Sequence, residues 1–139
     1  MRILAVLLFS ACVSSPVAAE PGLKARDGWI REAPPTAPVR AGYLVLGNDG
    51  DTAREVIAAR SPAFGAIEIH EMAANDDGTM RMRPVPVLAV AAGAEVALAP
   101  GGLHLMLFRP VKPLAAGDRV ALVLDLADGG ALETELEQR

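Results

Sequence analysis

The side chains with the greatest capacity for chemistry are two histidines and four methionines. Apart from the initiating methionine, these are all the histidines and methionines of the chain. They lie between positions 70 and 106: His70, Met72, Met80, Met82, His104 and Met106. Thioether sulfur is a soft, uncharged ligand that selects Cu(I) over Zn²⁺, Mg²⁺ or Ca²⁺, and imidazole also binds Cu(I). The residue types of this segment therefore indicate a Cu(I) site.

The spacing within this segment predicts that the six side chains share faces of β-strands. They form three pairs with one residue between the members: His70 and Met72, Met80 and Met82, His104 and Met106. Because strand side chains point alternately to the two faces, the members of each pair share a face. Apolar residues such as Ile69 and Leu105 then lie on the opposite faces. Three strand segments could thus aim soft ligands at one point.

Each of these residues also has a simpler interpretation. Methionine is a common filler of hydrophobic cores, and a single histidine on a strand is more often a hydrogen-bonded surface residue than a ligand. For Met72 and Met80 the core interpretation stays open, and we treat them as auxiliary ligands at most. Spacing, shared faces and composition together favour a ligand role for four residues: His70, Met82, His104 and Met106.

The remaining composition excludes several classes of function. Cys12 is the only cysteine. A blue-copper site needs a cysteine thiolate, so it is excluded if the N-terminal segment that contains Cys12 is removed as a signal peptide. Two histidines without a nearby His-x-x-x-His arrangement or cysteine pair give little support for catalytic zinc. We find no Ser-His-Asp arrangement, phosphate-binding loop or paired carboxylates, and we expect no enzyme. No basic patch indicates nucleic acid as a partner.

The first nineteen residues have the pattern of a removable signal peptide. Met1 and Arg2 form a short positive start, residues 3–9 are apolar, and small residues precede a cleavage site after Ala19. We therefore expect a periplasmic domain of residues 20–139, without a transmembrane segment. Removing Arg2 from the 13 basic residues leaves 12 against 17 acidic ones, a net charge of −5 with neutral histidines. The alternative is a lipoprotein anchored at Cys12.

The rest of the chain predicts an all-β domain. Short segments that alternate apolar and polar residues are separated by Gly, Pro, Asn and Asp turns every 8–12 residues or so. The clearest predicted strands are 41–47, 54–60, 66–72, 79–83, 95–99, 103–108, 119–126 and 131–136. Eight or nine short strands without a long helix are typical of an antiparallel sandwich or Greek-key barrel.

The spacing of the predicted ligands resembles the copper motif of a known protein family. His70 is followed by eleven residues, Met82, twenty-one residues, and then His104-Leu105-Met106. This pattern and its surroundings, from about Trp29 to Leu136, are similar to the periplasmic copper chaperones of the PCuAC family.

The resemblance implies a cupredoxin-like Greek-key β-barrel that binds Cu(I) near one end through His70, Met82, His104 and Met106. It also implies a metallochaperone that supplies the CuA centre of cytochrome c oxidase subunit II, alongside Sco-type thiol proteins. Two alternatives stay open: a copper buffer of the cell envelope without a dedicated recipient, and a β-sandwich interaction module whose methionines only fill the core.

Overall fold

Ten β-strands make up the regular structure of residues 22–139, the part of the chain that the computed structural model describes. They are β1 (Leu23–Ile30), β2 (Val39–Asn48), β3 (Arg54–Arg60), β4 (Phe64–Ala74), β5 (Met80–Pro84), β6 (Leu88–Val90), β7 (Glu95–Leu98), β8 (Leu103–Pro110), β9 (Arg119–Leu126) and β10 (Ala131–Gln138). The predicted signal peptide, 1–19, and Cys12 lie outside the described residues. Within 22–139, no helix has the length and apolar character needed to cross a membrane.

The all-β prediction is confirmed, but the strand count is ten instead of eight or nine. The unpredicted strands are β1 and β6. In β1 the pair Asp27-Gly28 has the sequence of a turn, yet the strand continues across it as a bulge, where Asp27 has a φ of 56° and the register shifts. The three-residue strand β6 is too short to show a period of two, and an alanine-rich stretch follows it.

The strands form one sheet that closes on itself. Its order is β5-β4-β8-β2-β1-β10-β9-β3-β6, with β7 paired to β2. An additional β3–β4 pairing, at Ala59 and Ile67, closes β4, β8, β2, β1, β10, β9 and β3 into a seven-stranded barrel. The β1–β10 pair is parallel, whereas the others are antiparallel. The hairpin strand β5 lies outside this ring, at the edge of β4.

Alternating leucines and isoleucines of the barrel strands fill its interior. On β8, Leu105 and Leu107 are fully buried, and on β4 the inward side chains are Ile67 and Ile69. Burying one such side chain contributes roughly 1.5–3 kcal/mol. Gly42 of β2 permits the close approach of β8, since a Cβ there would lie 3.2 Å from Leu107 Cδ1. Because these residues face inward, their neighbours on β4 and β8 must lie on the outer face.

Candidate metal site

The predicted ligands lie on one outer face of three adjacent strands, β5, β4 and β8. His70 of β4 lies directly opposite His104 of β8, and their ring centroids are 6.1 Å apart. Met72 of β4 lies opposite Met82 of β5. Met106 follows His104 on the same face of β8. The structure therefore places on one face residues that are up to 36 positions apart in the sequence.

His104 presents its Nε2 atom to the sulfur of Met82. Its Nδ1 lies 3.0 Å from the Gly102 carbonyl oxygen, which can only accept, so Nδ1 carries the proton and donates. In the neutral ring Nε2 then keeps its lone pair, and it lies 3.3 Å from Met82 Sδ. The nitrogen and the sulfur therefore each present a lone pair, and neither carries a proton that could form a hydrogen bond between them. This arrangement suits a soft cation better than a hydrogen bond.

His70 also has one nitrogen with a partner and one without. Its Nε2 lies 2.7 Å from the Glu68 carboxylate, an acceptor, so Nε2 carries the proton in the neutral ring. Its Nδ1 is buried and has no hydrogen-bond partner within residues 22–139. Leaving a buried polar atom unpaired costs about 1–3 kcal/mol. A metal ion bound at Nδ1 would remove that cost, so the histidine pair fits a metal ligand role.

The methionines differ in exposure, and they lie outside the hydrophobic core. Met80 and Met82 on β5 are 55% and 53% exposed, while Met72 and Met106 are half-buried on the outer face. None of the four belongs to the cluster of buried core residues in the described part of the chain. The core-filler interpretation therefore does not hold for them. His104, by contrast, is only 7% exposed.

The β4–β5 turn sets the position of the exposed methionines. Asn75 N donates to Thr79 O, and Gly78, with a φ of 85°, supplies the left-handed residue of the turn. The Asp77 carboxylate accepts bonds from the hydroxyl and the amide of Thr79. These two bonds, the hydroxyl first, lower the pKa of Asp77 below its ordinary value. The turn is thus held by several bonds at the point where β5 begins.

A second turn, which connects β7 to β8, lies beside the histidines and is hydrogen-bonded to β4. Gly101 has a φ of 88°, and Gly102 N donates to Ala99 O over 3.1 Å. The Gly102 carbonyl oxygen then accepts from Met72 N as well as from His104 Nδ1. One backbone oxygen therefore orients the His104 ring and fixes the end of the neighbouring strand β4. The predicted glycine turn is present, and it positions His104 as well as joining the strands.

Glu68 is the residue at this site that the sequence analysis did not single out. It precedes His70 by two positions on β4, and that spacing was the available signal, because residues i and i+2 of a strand share a face. Within residues 22–139, no three His, Cys, Asp or Glu side chains gather as a metal site.

Comparison with known proteins defines the class. Residues 23–137 match the family described as “Putative lipoprotein LpqE-like”, which is the family of the PCuAC domains. The chain belongs to this family, as the resemblance predicted. A relative from Leifsonia xyli subsp. xyli, named “Putative lipoprotein Lxx21020”, is 26% identical over 119 residues, which are 86% of this chain and 70% of the relative.

Solved structures of PCuAC domains have the same fold. The copper-bound PCuAC domain from PmoF2 has a TM-score of 0.71 and 18% identity, over 88% of this chain and 96% of that domain. The solution structure of CuI-DR1885 from Deinococcus radiodurans has a TM-score of 0.60 and 24% identity, over 92% of this chain and 81% of that protein. The cupredoxin-like barrel that the sequence predicted is confirmed.

Proposed function

We propose that this protein is a Cu(I) metallochaperone of the periplasm that binds one ion and passes it to another protein. Its ligands in this proposal are His70, Met82, His104 and Met106, with Met72 and Met80 outside the set. The observation that carries the proposal is the buried Nδ1 of His70, which has no hydrogen-bond partner in the described part of the chain. The His70 ring lies next to the His104 ring, whose Nε2 faces Met82 Sδ.

The family supports copper as the metal. The related domain of PmoF2 is described as copper-bound, and the related protein of Deinococcus radiodurans as holding Cu(I). The chemistry of this chain agrees, because two thioethers and two imidazoles form a soft, neutral ligand set. Thioethers also suit an oxidising compartment, where a dithiol would form a disulfide.

The exposure of the site favours transfer over permanent storage. Four neutral ligands leave the bound ion with its single positive charge, and they lack the stronger bonds of a thiolate pair. Met82 is half-exposed on the edge strand β5, whereas His104 is buried. An incoming thiolate can therefore reach the metal from the Met82 side and displace the most accessible ligand first. A dithiolate acceptor would then take the ion in an energetically downhill step.

The recipient in this proposal is the CuA centre of cytochrome c oxidase subunit II, either directly or through a Sco-type thiol protein. Both offer cysteine thiolates as acceptor ligands. Deleting the chaperone should reduce CuA assembly at low copper, and a Met82→Leu form should fail to restore it. If the deletion lowers copper tolerance but leaves CuA assembly intact, the protein is a copper buffer and not a chaperone.

Export is part of the same proposal. The family and the Leifsonia relative are both described with the word lipoprotein, which supports an exported protein and keeps the Cys12 anchor as an alternative to cleavage after Ala19. Fractionation of cells that produce the parent and a Cys12→Ser form separates the two. A membrane-bound parent that becomes free in the Cys12→Ser form would establish the anchor.

Metal analysis of the purified protein tests the function itself. The protein is loaded with Cu(I) under reducing conditions and passed over a desalting column with a competing chelator. We expect one copper per chain in the parent, and much less in a His70→Ala, His104→Ala double variant. A parent that retains no copper would refute the proposal and favour a simple interaction module.

A further inference from the structure

We infer that Glu68 is a positioning residue for His70, whose carboxylate holds the ring so that Nδ1 is the metal-binding nitrogen. The inference rests on the proposed function, since it assigns a role toward the same bound ion. Glu68 is not proposed as a ligand. It acts through the histidine ring, which it touches at the nitrogen opposite to the one left free.

The geometry of the pair carries the inference. Glu68 Oε2 lies 2.7 Å from His70 Nε2, and both side chains extend from the outer face of β4. The Glu68 side chain is 56% exposed, whereas that of His70 is 16% exposed. Among residues 22–139, His70 is the one basic side chain within ion-pair distance of the Glu68 carboxylate. The Nε2 atom is thus bound to the carboxylate, and the buried Nδ1 atom is free.

The two tautomers of His70 differ sharply in this environment. With the proton on Nε2, the ring donates to Glu68 and leaves a buried lone pair on Nδ1. With the proton on Nδ1, a buried N–H would have no acceptor, and Nε2 would face a carboxylate with no hydrogen between them. The second arrangement loses a charge-assisted hydrogen bond and leaves a donor unpaired. Glu68 therefore selects the tautomer in which Nδ1 can bind a metal.

In each of the two histidines one ring nitrogen is hydrogen-bonded and the other is left free, but different groups accept the bond. The Gly102 backbone carbonyl fixes His104 with Nδ1 protonated and Nε2 free, so no side-chain substitution removes that acceptor. The Glu68 side chain fixes His70 in the opposite sense, and a single substitution removes it. Partners of this kind on metal-binding histidines typically change metal affinity 10–100-fold when they are mutated.

The charge of Glu68 contributes less than its hydrogen bond. A bound Cu(I) with neutral ligands carries one positive charge, and the carboxylate would balance it, but more than half of that side chain is in water. Exposed charge pairs contribute little to stability because water and salt screen them. A glutamine at this position loses the charge and still has an oxygen that can accept from Nε2, although its amide N–H can also donate to Nε2 in the other tautomer.

The test compares Glu68→Ala and Glu68→Gln with Glu71→Ala as the matched control. Glu71 is also a β4 carboxylate beside His70, but it lies on the opposite face and pairs with Arg83. Imidazole ¹⁵N chemical shifts of the metal-free proteins report the tautomer of His70. Competition with a Cu(I) chelator reports affinity.

In the parent and in Glu71→Ala, we expect His70 with Nε2 protonated. In Glu68→Ala, we expect mixed tautomers and Cu(I) affinity about 10–100-fold weaker. Glu68→Gln, which can still accept from Nε2, should keep more of the parental tautomer than Glu68→Ala and lose less than about fivefold in affinity. An unchanged tautomer together with unchanged affinity in Glu68→Ala would overturn the inference. A parent with no Cu(I) affinity would instead refute the proposed function, and the tautomer measurement would still decide the role of Glu68.

Discussion

The sharpest mutational comparison available is between two methionines of the same strand. Met82 and Met80 both lie on the outer face of β5, and their exposed fractions are 53% and 55%. They differ in what they face: Met82 Sδ lies 3.3 Å from His104 Nε2, whereas Met80 pairs across the strands with Ala74, farther from the histidines. Replacing each with leucine removes one thioether sulfur from a side chain of nearly the same exposure.

The contacts of each methionine, together with typical magnitudes, give the expected loss of stability and of Cu(I) affinity. Leucine matches methionine closely in size and apolarity, so each exchange costs below about 1.5 kcal/mol in stability, and less at these half-exposed positions. Substitutions that only reorient a metal ligand already cost about 10–100-fold in metal affinity. We therefore expect Met82→Leu, which removes a ligand, to weaken Cu(I) binding at least about 100-fold. Met80→Leu should stay within about twofold, because a surface change away from special features typically alters the free energy by at most about 0.5 kcal/mol.

Chelator competition measures both affinities, and thermal melting of the metal-free proteins shows whether the fold is intact. Met106→Leu should behave like Met82→Leu, and Met72→Leu like Met80→Leu. If Met82→Leu bound copper like the parent, or if Met80→Leu lost as much affinity as Met82→Leu, the assignment of Met82 as the specific sulfur ligand on β5 would be wrong.

Three further predictions concern metal choice, pH and the hairpin. Equimolar Zn²⁺ should not displace Cu(I) in a competition assay, since thioethers bind a harder cation weakly; comparable binding of both metals would count against sulfur ligands. Cu(I) affinity should fall as the pH is lowered from about 7 to about 5, because protons compete with the metal for the imidazole nitrogens; a flat profile would argue against both histidines. The pKa of Asp77 is lowered, so its carboxylate stops accepting the bonds from Thr79 only when the pH falls through that lowered value. The turn therefore stays intact over the pH range of the copper measurement. Asp77→Ala at pH 7 should weaken Cu(I) binding by less than Met82→Leu, through a looser β5, and amide exchange at Thr79 should rise; unchanged exchange would show that the carboxylate does not hold the turn.

Local patterns in the sequence predicted the faces of the strands but not their pairing. Alternation around Leu105 places His104 and Met106 together on the outer face because the flanking leucines must be buried, and the structure has this arrangement. The position of His70 directly opposite His104 depends on a long-range register, which no local pattern encodes. The bulged strand β1 was missed because Asp27-Gly28 has the local sequence of a turn.

The finer features of the site also required the fold. Sequence spacing cannot show that Met82 is exposed while His104 is buried, because the burial of each depends on neighbouring strands and turns. It also cannot show which imidazole nitrogen is free. That depends on Gly102 for one ring and Glu68 for the other, and both contacts follow from the orientations of side chains in the folded barrel.

X-ray absorption spectroscopy at the copper edge of the Cu(I)-loaded protein tests the proposed ligand set most directly. We predict a copper ion bound by two imidazole nitrogens and two thioether sulfurs in the parent. In Met82→Leu one sulfur contribution should be lost, and in Met80→Leu the spectrum should match that of the parent. A parent spectrum with nitrogen and oxygen neighbours alone, or with sulfur neighbours and no imidazole, would contradict a site built from His70, Met82, His104 and Met106.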